Sequence, residues 1–283
     1  MRLVRLGSAG SETPGVLVDD DTFVDLSDIA PDFDEKFFGS GALAGLGNVV
    51  AERVAAGRTE PVGDRRFGAP IARPHQILCI GLNYSDHAAE TGNAIPKEPP
   101  IFAKWPNAII DPGEPILRPR GSKALDWEVE LGVVIGRPAR YVSRDKALDY
   151  VWGYTIINDA SARDFQMITS QWMAGKIFET AAPVGPFIGD RAEVSDPHSL
   201  SLKTFVNGKQ MQNGNTKTFI FDVSYLVSYL SNLMTLMPGD LIATGTPPGV
   251  GLGMKPPVYL NAGDVVRMEI TGLGTLENPI KDA

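Results

Sequence analysis

The sequence predicts an α+β chain in two parts, a small N-terminal α+β module over 1–70 and a larger, many-stranded body over 71–283. Three observations carry that expectation. Between Asp126 and Ile135 apolar residues recur with a period of two, as on a strand with one face buried. Val223, Leu226, Val227, Leu230, Leu233 and Met234 recur instead at i, i+3, i+4 and i+7, the mark of a helix packed on a core. The other strand-like runs are short, are broken by Gly, Pro and Asn, and rarely alternate with helices, which excludes a Rossmann-type sheet.

Taken in chain order, Leu3–Leu6 and Gly15–Val18 read as short strands with a turn over Gly10–Pro14 between them. Positions 32–57 read as helix and loop, and 57–73 as a Gly/Pro/Arg-rich linker; no chemical motif falls in either. Ile77-Leu78-Cys79-Ile80 opens the body as an apolar strand, which makes Cys79 a buried structural thiol. Within 126–135, Trp127, Val129, Leu131, Val133 and Ile135 share one face and Glu128, Glu130, Gly132 and Val134 the other. Ser161-Ala162-Arg163-Asp164 has capping-box spacing and predicts a helix start. Strands are expected again at Leu241–Ala243, Val258–Leu260 and Val265–Ile270.

Composition narrows the function. Hydrophobic residues make up 43% and charged residues 21%, ordinary globular values. With 26 Lys+Arg against 34 Asp+Glu the net charge is 26 − 34 = −8, a poor start for binding nucleic acid or an anionic membrane. An anionic small molecule is not excluded, because a local metal and a few cations outweigh a distant field. A single cysteine rules out an intramolecular disulfide and a Cys-based zinc site, which fits a reducing cytoplasm. The start, Met1-Arg2-Leu3-Val4-Arg5, lacks a signal-peptide apolar region, and no run approaches the ~18 apolar residues of a membrane span. A soluble, cytoplasmic protein is expected.

Glu128 and Glu130 point the same way from one strand, their Cβ atoms about 7 Å apart. That pair is either a solvated face or a seat for a cation. Asp159, ending the apolar run Ile156-Ile157-Asn158, supplies a third carboxylate. Without nearby His or Cys the set favours a hard cation, Mg²⁺ or Mn²⁺. His87 and Glu90 fall at i, i+3 on a short helix, either as an exposed ion pair or as a general base with its orienting carboxylate. Arg163 and Gln166 share a helix face just beyond Asp159, either solvated or as a carboxylate clamp. Lys176 alone means little. The loop Thr244-Gly245-Thr246-Pro247-Pro248-Gly249-Val250-Gly251 is a rigid turn or a cradle of N–H groups for an anion, and it lacks a Walker ending.

Together these segments resemble the fumarylacetoacetate hydrolase family from about Ile77 to Gly274. The likeness rests on Gly81-Leu82-Asn83-Tyr84 with His87 and Glu90, on Asp126-Trp127-Glu128-Val129-Glu130, and on Asn158-Asp159 with Arg163 and Gln166. It continues through Gly175-Lys176, Pro183-Val184-Gly185-Pro186, Val206-Asn207-Gly208, Pro238-Gly239-Asp240 and Thr244-Gly245-Thr246-Pro247. The resemblance implies a mixed β-sandwich roll with a small N-terminal domain, usually a homodimer. It implies Mg²⁺ or Mn²⁺ on Glu128, Glu130 and Asp159, binding of the substrate's oxo-acid end by Arg163, Gln166, Thr246 and Lys176, with Lys176 also catalytic, and water activated by His87 and Glu90. Ile80 stands where the eukaryotic fumarylacetoacetase has a further metal-binding aspartate, and Glu179 where many members have Asp. Gln212–Thr216 and Pro247–Gly253 look most like the bacterial hydrolases of 2,4-dioxo-3-deoxy sugar acids and acylpyruvase-like members. The expected activity is metal-dependent cleavage of the C3–C4 bond of a small 2,4-dioxo acid to release pyruvate. A decarboxylase or isomerase of oxaloacetate-like or hydroxyheptadienedioate-type acids is the alternative on the same scaffold. A metal-stabilised binding protein is the reading from another class, and His87 with Glu90 speaks against it, since binding needs no base.

Overall fold

The computed structural model describes residues 1–90, 92 and 94–283. Arg2–Leu6 pairs antiparallel with Thr13–Leu17 on one side and with Ala182–Asp190 on the other. One sheet therefore runs from the N-terminal residues into the body without a break at position 70. Its path continues through Val151–Asn158, Val129–Ile135, Leu241–Ala243, Ile77–Ile80 and Ile101–Lys104. A second sheet holds Lys209–Asn215, Ser201–Val206, Val265–Ile270, Gly274–Asp282 and Ile116–Arg118. Leu131, Val133 and Ile156 of the first sheet meet Leu202, Met268 and Leu276 of the second in one core. On the opposite face Val134, Ile157 and Cys79 pack with Phe33, Phe38 and Leu46 of the N-terminal residues. The architecture is mixed α+β, mostly strands with few helices, as expected.

The 129–135 strand departs from expectation in being buried on both faces rather than one. Covering both sides of a strand removes any solvated reading for Glu130. The predicted strand is also interrupted, into Leu125–Asp126 and Val129–Ile135. Three successive N–H groups explain the gap: Trp127 donates to Asp126 Oδ1, Glu128 to Asn158 Oδ1 and Val129 to Gln212 Oε1. Side-chain acceptors take the place of the ladder there.

The capping box does not form. Ser161–Ala162 is a strand paired with Leu125–Asp126, and the helix is the single turn Arg163–Gln166. Ser161 Oγ donates to Asp159 O, while Asp164 accepts from Ser122 Oγ and Lys123 N. Val258–Leu260 is not a strand either; only Leu260 makes an isolated bridge, to Leu125. The helix Val223–Leu233 forms as its periodicity requires, with Asp222 accepting from Tyr225 N at 2.8 Å as its N-cap. Its buried stripe is Val223, Leu226, Val227 and Leu230, and Leu233 lies outside it. No helix among the described residues is long and apolar enough to cross a membrane.

Candidate active site

Register brings the carboxylates together. Val129 pairs with Asn158, and Asp159 N donates to Glu128 O at 3.0 Å, so the ends of two antiparallel strands place Asp159 beside Glu128. Glu130 follows on the same strand face. Glu128, Glu130 and Asp159 are all buried, with ligand oxygens within 4.8 Å of one another.

Three buried cations face them. Arg163 Nη2 lies 2.6 Å from Glu128 Oε1, and Lys176 Nζ sits 2.8 Å from Glu128 Oε2 and 2.7 Å from Asp159 Oδ2. Lys104, at the end of Ile101–Lys104, is 2.8 Å from Asp159 Oδ1. Its three ammonium protons are nevertheless aimed at the carbonyls of Ala160, Lys176 and Ala181. Lys104 thus forms a buried ion pair with Asp159 Oδ1 while its ammonium is also shared among three carbonyls.

The electrostatics split the glutamates. Burial alone would raise Glu128, but Arg163 and Lys176 hold it well below the usual carboxylate range. Glu130 is pushed well above that range by burial, then by Asp159 and Glu128. Burial lowers Lys104, only partly offset by Asp159. Burial opposes the charge on Lys176 as well, yet Asp159 and Glu128 raise it above its ordinary value.

The residues fit a divalent metal. The donors are hard oxygens gathered within 4.8 Å of one another, and Glu130 is a buried carboxyl lacking the counter-charge that burial demands.

His87 is buried, and its Nδ1 lies 3.1 Å from Glu90 Oε2, so the exposed-ion-pair reading fails. An ionised carboxylate only accepts, which places the proton on Nδ1 and leaves Nε2 as the basic nitrogen. Arg163 is held on every side, with Nε on Asp126 Oδ2 and Nη1 on Gln166 Oε1. Gln166 then has its amide N–H groups free to point elsewhere. Thr246 Oγ1 donates to Val129 O and accepts from Gln212 Nε2, so its hydroxyl proton is already committed.

The glycine loop does cradle anions, but they are the protein's own. Gly245 N donates to Glu130 Oε2, Gly249 N to Glu90 Oε1, and Gly251 N and Leu252 N to Asp126. One cavity of about 510 Å³ gathers His87, Glu90, Glu128, Glu130, Arg163, Gln166, Lys176 and Thr246, with Asp159 buried behind them. Apolar side chains close its other side, among them Phe102 and Trp172, whose indole lies against Gly81 where a Cβ would sit 2.3 Å from the ring. Lys104, Asp126 and the cavity-lining Lys255 are charged residues to which sequence reasoning gave no role. A lysine closing the apolar run Ile101-Phe102-Ala103 was the available signal for the first.

The family model described as fumarylacetoacetate (FAA) hydrolase C-terminal matches residues 76–281. A protein of Burkholderia multivorans, named only as a hydrolase, is 49% identical over 278 residues, covering 97% of this chain and 96% of its own. A 2-hydroxyhepta-2,4-diene-1,7-dioate isomerase from Mycobacterium marinum superposes with a TM-score of 0.79 at 36% identity, covering 100% of this chain and 98% of the other. Maleylpyruvate hydrolase from Sphingobium sp. SYK-6, solved with manganese(II) and pyruvate, superposes with a TM-score of 0.81 at 27% identity, covering both chains fully. The chain belongs to the fumarylacetoacetate hydrolase family and is an enzyme on that scaffold.

Proposed function

We propose that this enzyme hydrolyses the C3–C4 bond of a small 2,4-dioxo acid, an acylpyruvate or a 2,4-dioxo-3-deoxy sugar acid, releasing pyruvate with the help of Mg²⁺ or Mn²⁺. The observation that carries the reading is one cavity lined by Glu128 and Glu130 of a buried oxygen triad, an arginine–amide clamp and a carboxylate-oriented histidine, with Asp159 of the triad buried behind it. Glu128, Glu130 and Asp159 would hold the divalent ion. When bound, that ion supplies Lewis-acid stabilisation of the negative charge that develops on the substrate's 2-oxo oxygen. Arg163 and Gln166 present forked N–H donors to the substrate carboxylate. Lys176, raised above its ordinary value, is a permanent cation beside the developing charge. Thr246, which lines the cavity, bounds the oxo-acid end.

His87 Nε2 takes a proton from water as the water oxygen bonds to C4. The C3–C4 bond then breaks, its electron pair passing into the pyruvate fragment as an enolate, and C3 gains a proton. The products are a carboxylic acid and pyruvate. Glu90 holds the imidazole in the required tautomer and stabilises its charged form. The manganese and pyruvate recorded in the Sphingobium hydrolase support both the ion and the product.

The test is to incubate the purified protein with Mn²⁺ and a panel of acylpyruvates, dioxo sugar acids and oxaloacetate, following enol absorbance and released pyruvate. At least one dioxo acid is expected to yield one pyruvate per molecule consumed, and chelation is expected to stop it. Turnover that survives removal of metal would refute the reading.

A further inference from the structure

Asp126 is fully buried, lies outside the metal triad and does not line the cavity, yet both its oxygens are saturated. Oδ2 accepts from Arg163 Nε at 2.8 Å and from Leu252 N at 3.0 Å. Oδ1 accepts from Gly251 N at 2.7 Å and from Trp127 N at 2.8 Å. Two residues back on the same loop, Gly249 N donates to Glu90 Oε1 at 2.9 Å, and Glu90 Oε2 holds His87 Nδ1 at 3.1 Å. An unbroken chain of charge-assisted contacts therefore runs from the arginine of the clamp, through Asp126 and the 249–252 loop, to the histidine.

The glycines of Gly249-Val250-Gly251-Leu252-Gly253 are explained by this chain. A Cβ at Gly251 would meet Val258 O at 1.9 Å and Asp126 Oδ1 at 2.8 Å. One at Gly253 would meet Glu90 Cδ at 2.6 Å. Gly249 has φ +103°, and its Cβ would meet Met211 O at 2.1 Å. The loop is bare because two carboxylates and a neighbouring strand close on it.

We propose that Asp126 is a positioning residue that sets the oxo-acid clamp and the His87 base together, acting on the base through the 249–252 loop. The inference rests on the hydrolase reading above, in which Arg163 meets the oxo acid and His87 meets water. Asp126 touches neither.

The test uses Asp126→Asn in the Mn²⁺-loaded protein. Asparagine keeps the shape but turns one oxygen into a donor, facing the N–H groups of Arg163 and Leu252 if Oδ1 is kept. Hydrogen exchange is expected to quicken at 249–252 and at 85–90, with 129–135 and 223–233 unchanged, and Mn²⁺ affinity is expected to stay within about threefold. KM is expected to rise, and kcat to fall by about 10²-fold, the low end of what a positioned base contributes. In a His87→Ala background the kcat effect should vanish and the KM effect remain, because no base is left to position. Exchange that changes only at 249–252, exchange that rises across the whole chain, or a kcat effect that persists without His87 would each overturn the inference. If His87→Ala alone keeps wild-type kcat, it is the hydrolase reading that fails. Should Asp126→Asn not fold, Asp126→Glu keeps the charge but moves the carboxylate relative to Arg163 and the 251–252 N–H groups. It is expected to lower kcat at least tenfold and to raise KM, and an unchanged kcat would overturn the inference.

Discussion

Glu128 and Glu130 are two positions apart and electrostatically opposite. Glu128 is ion-paired to Arg163 and Lys176, whereas Glu130 receives one backbone N–H, from Gly245, and is pushed up by burial and two neighbouring carboxylates. Replacement by glutamine therefore has opposite consequences. Glu130→Gln mimics the protonated group, so the metal-free protein is expected to keep its melting temperature near pH 4.5, where the folded state holds that proton, while Mn²⁺ binding is lost. Glu128→Gln strips two buried cations of a counter-charge and is expected to lower the melting temperature by several degrees, a buried pair being worth about 3–5 kcal/mol when broken. Calorimetric melts with and without Mn²⁺ check both, and equal losses would refute the split. For Glu130 the folded value lies above the ordinary 4.5, so the folded state holds the extra proton between the two values. Its contribution is complete below about 4.5 and is lost as pH rises through the folded value. Metal binding at the proposed triad would expel that proton, and Mn²⁺ affinity is expected to increase with pH over this window, with proton release seen by calorimetry in buffers of different ionisation enthalpy. Glu128, Glu130 and Asp159 were legible as a set because strand spacing and an apolar run ending in a carboxylate are local patterns. Lys104 and Asp126 were not, since their partners lie 55 to 77 and 37 to 126 residues away, apart from the adjacent Trp127.

Elements whose signal is local were readable, and those decided by tertiary partners were not. Val223–Leu233 carries its own apolar stripe and its own cap, so the helix follows from 12 consecutive residues. Asp222→Ala removes the hydrogen bond to Tyr225 N and the ion pair to Arg144. A loss of about 1 kcal/mol is expected from the cap, and the exposed pair adds little. Urea unfolding with unchanged m-value checks this, and no change in midpoint would show that the cap is redundant. The 161–164 segment failed as a capping box because Asp164 is claimed by Ser122 and Lys123 and Ser161 by Asp159 O. Spacing alone cannot reveal a competitor some 40 residues upstream. The 126–135 strand was legible in its alternation but not in its break, which depends on the side chains of Asn158 and Gln212.

At the scale of the whole molecule, the sheet joins residues 2–6 to 182–190, a pairing with no short-range signature. The α+β class, in contrast, was readable from the scarcity of helices between strands. Assembly as an isologous homodimer, as the family resemblance implies, is proposed for this chain, and light scattering at micromolar concentration is expected to give about twice the 30.4 kDa chain mass. A monomer mass would remove that proposal and leave the chemistry of the site untouched. The central claim concerns water at C4, and isotope labelling addresses it most directly. A dioxo acid turned over by the Mn²⁺-loaded enzyme in H₂¹⁸O is expected to give pyruvate and an equal amount of carboxylic acid carrying one enzyme-delivered ¹⁸O. Release of carbon dioxide, or a shifted double bond, with no labelled acid formed would contradict it.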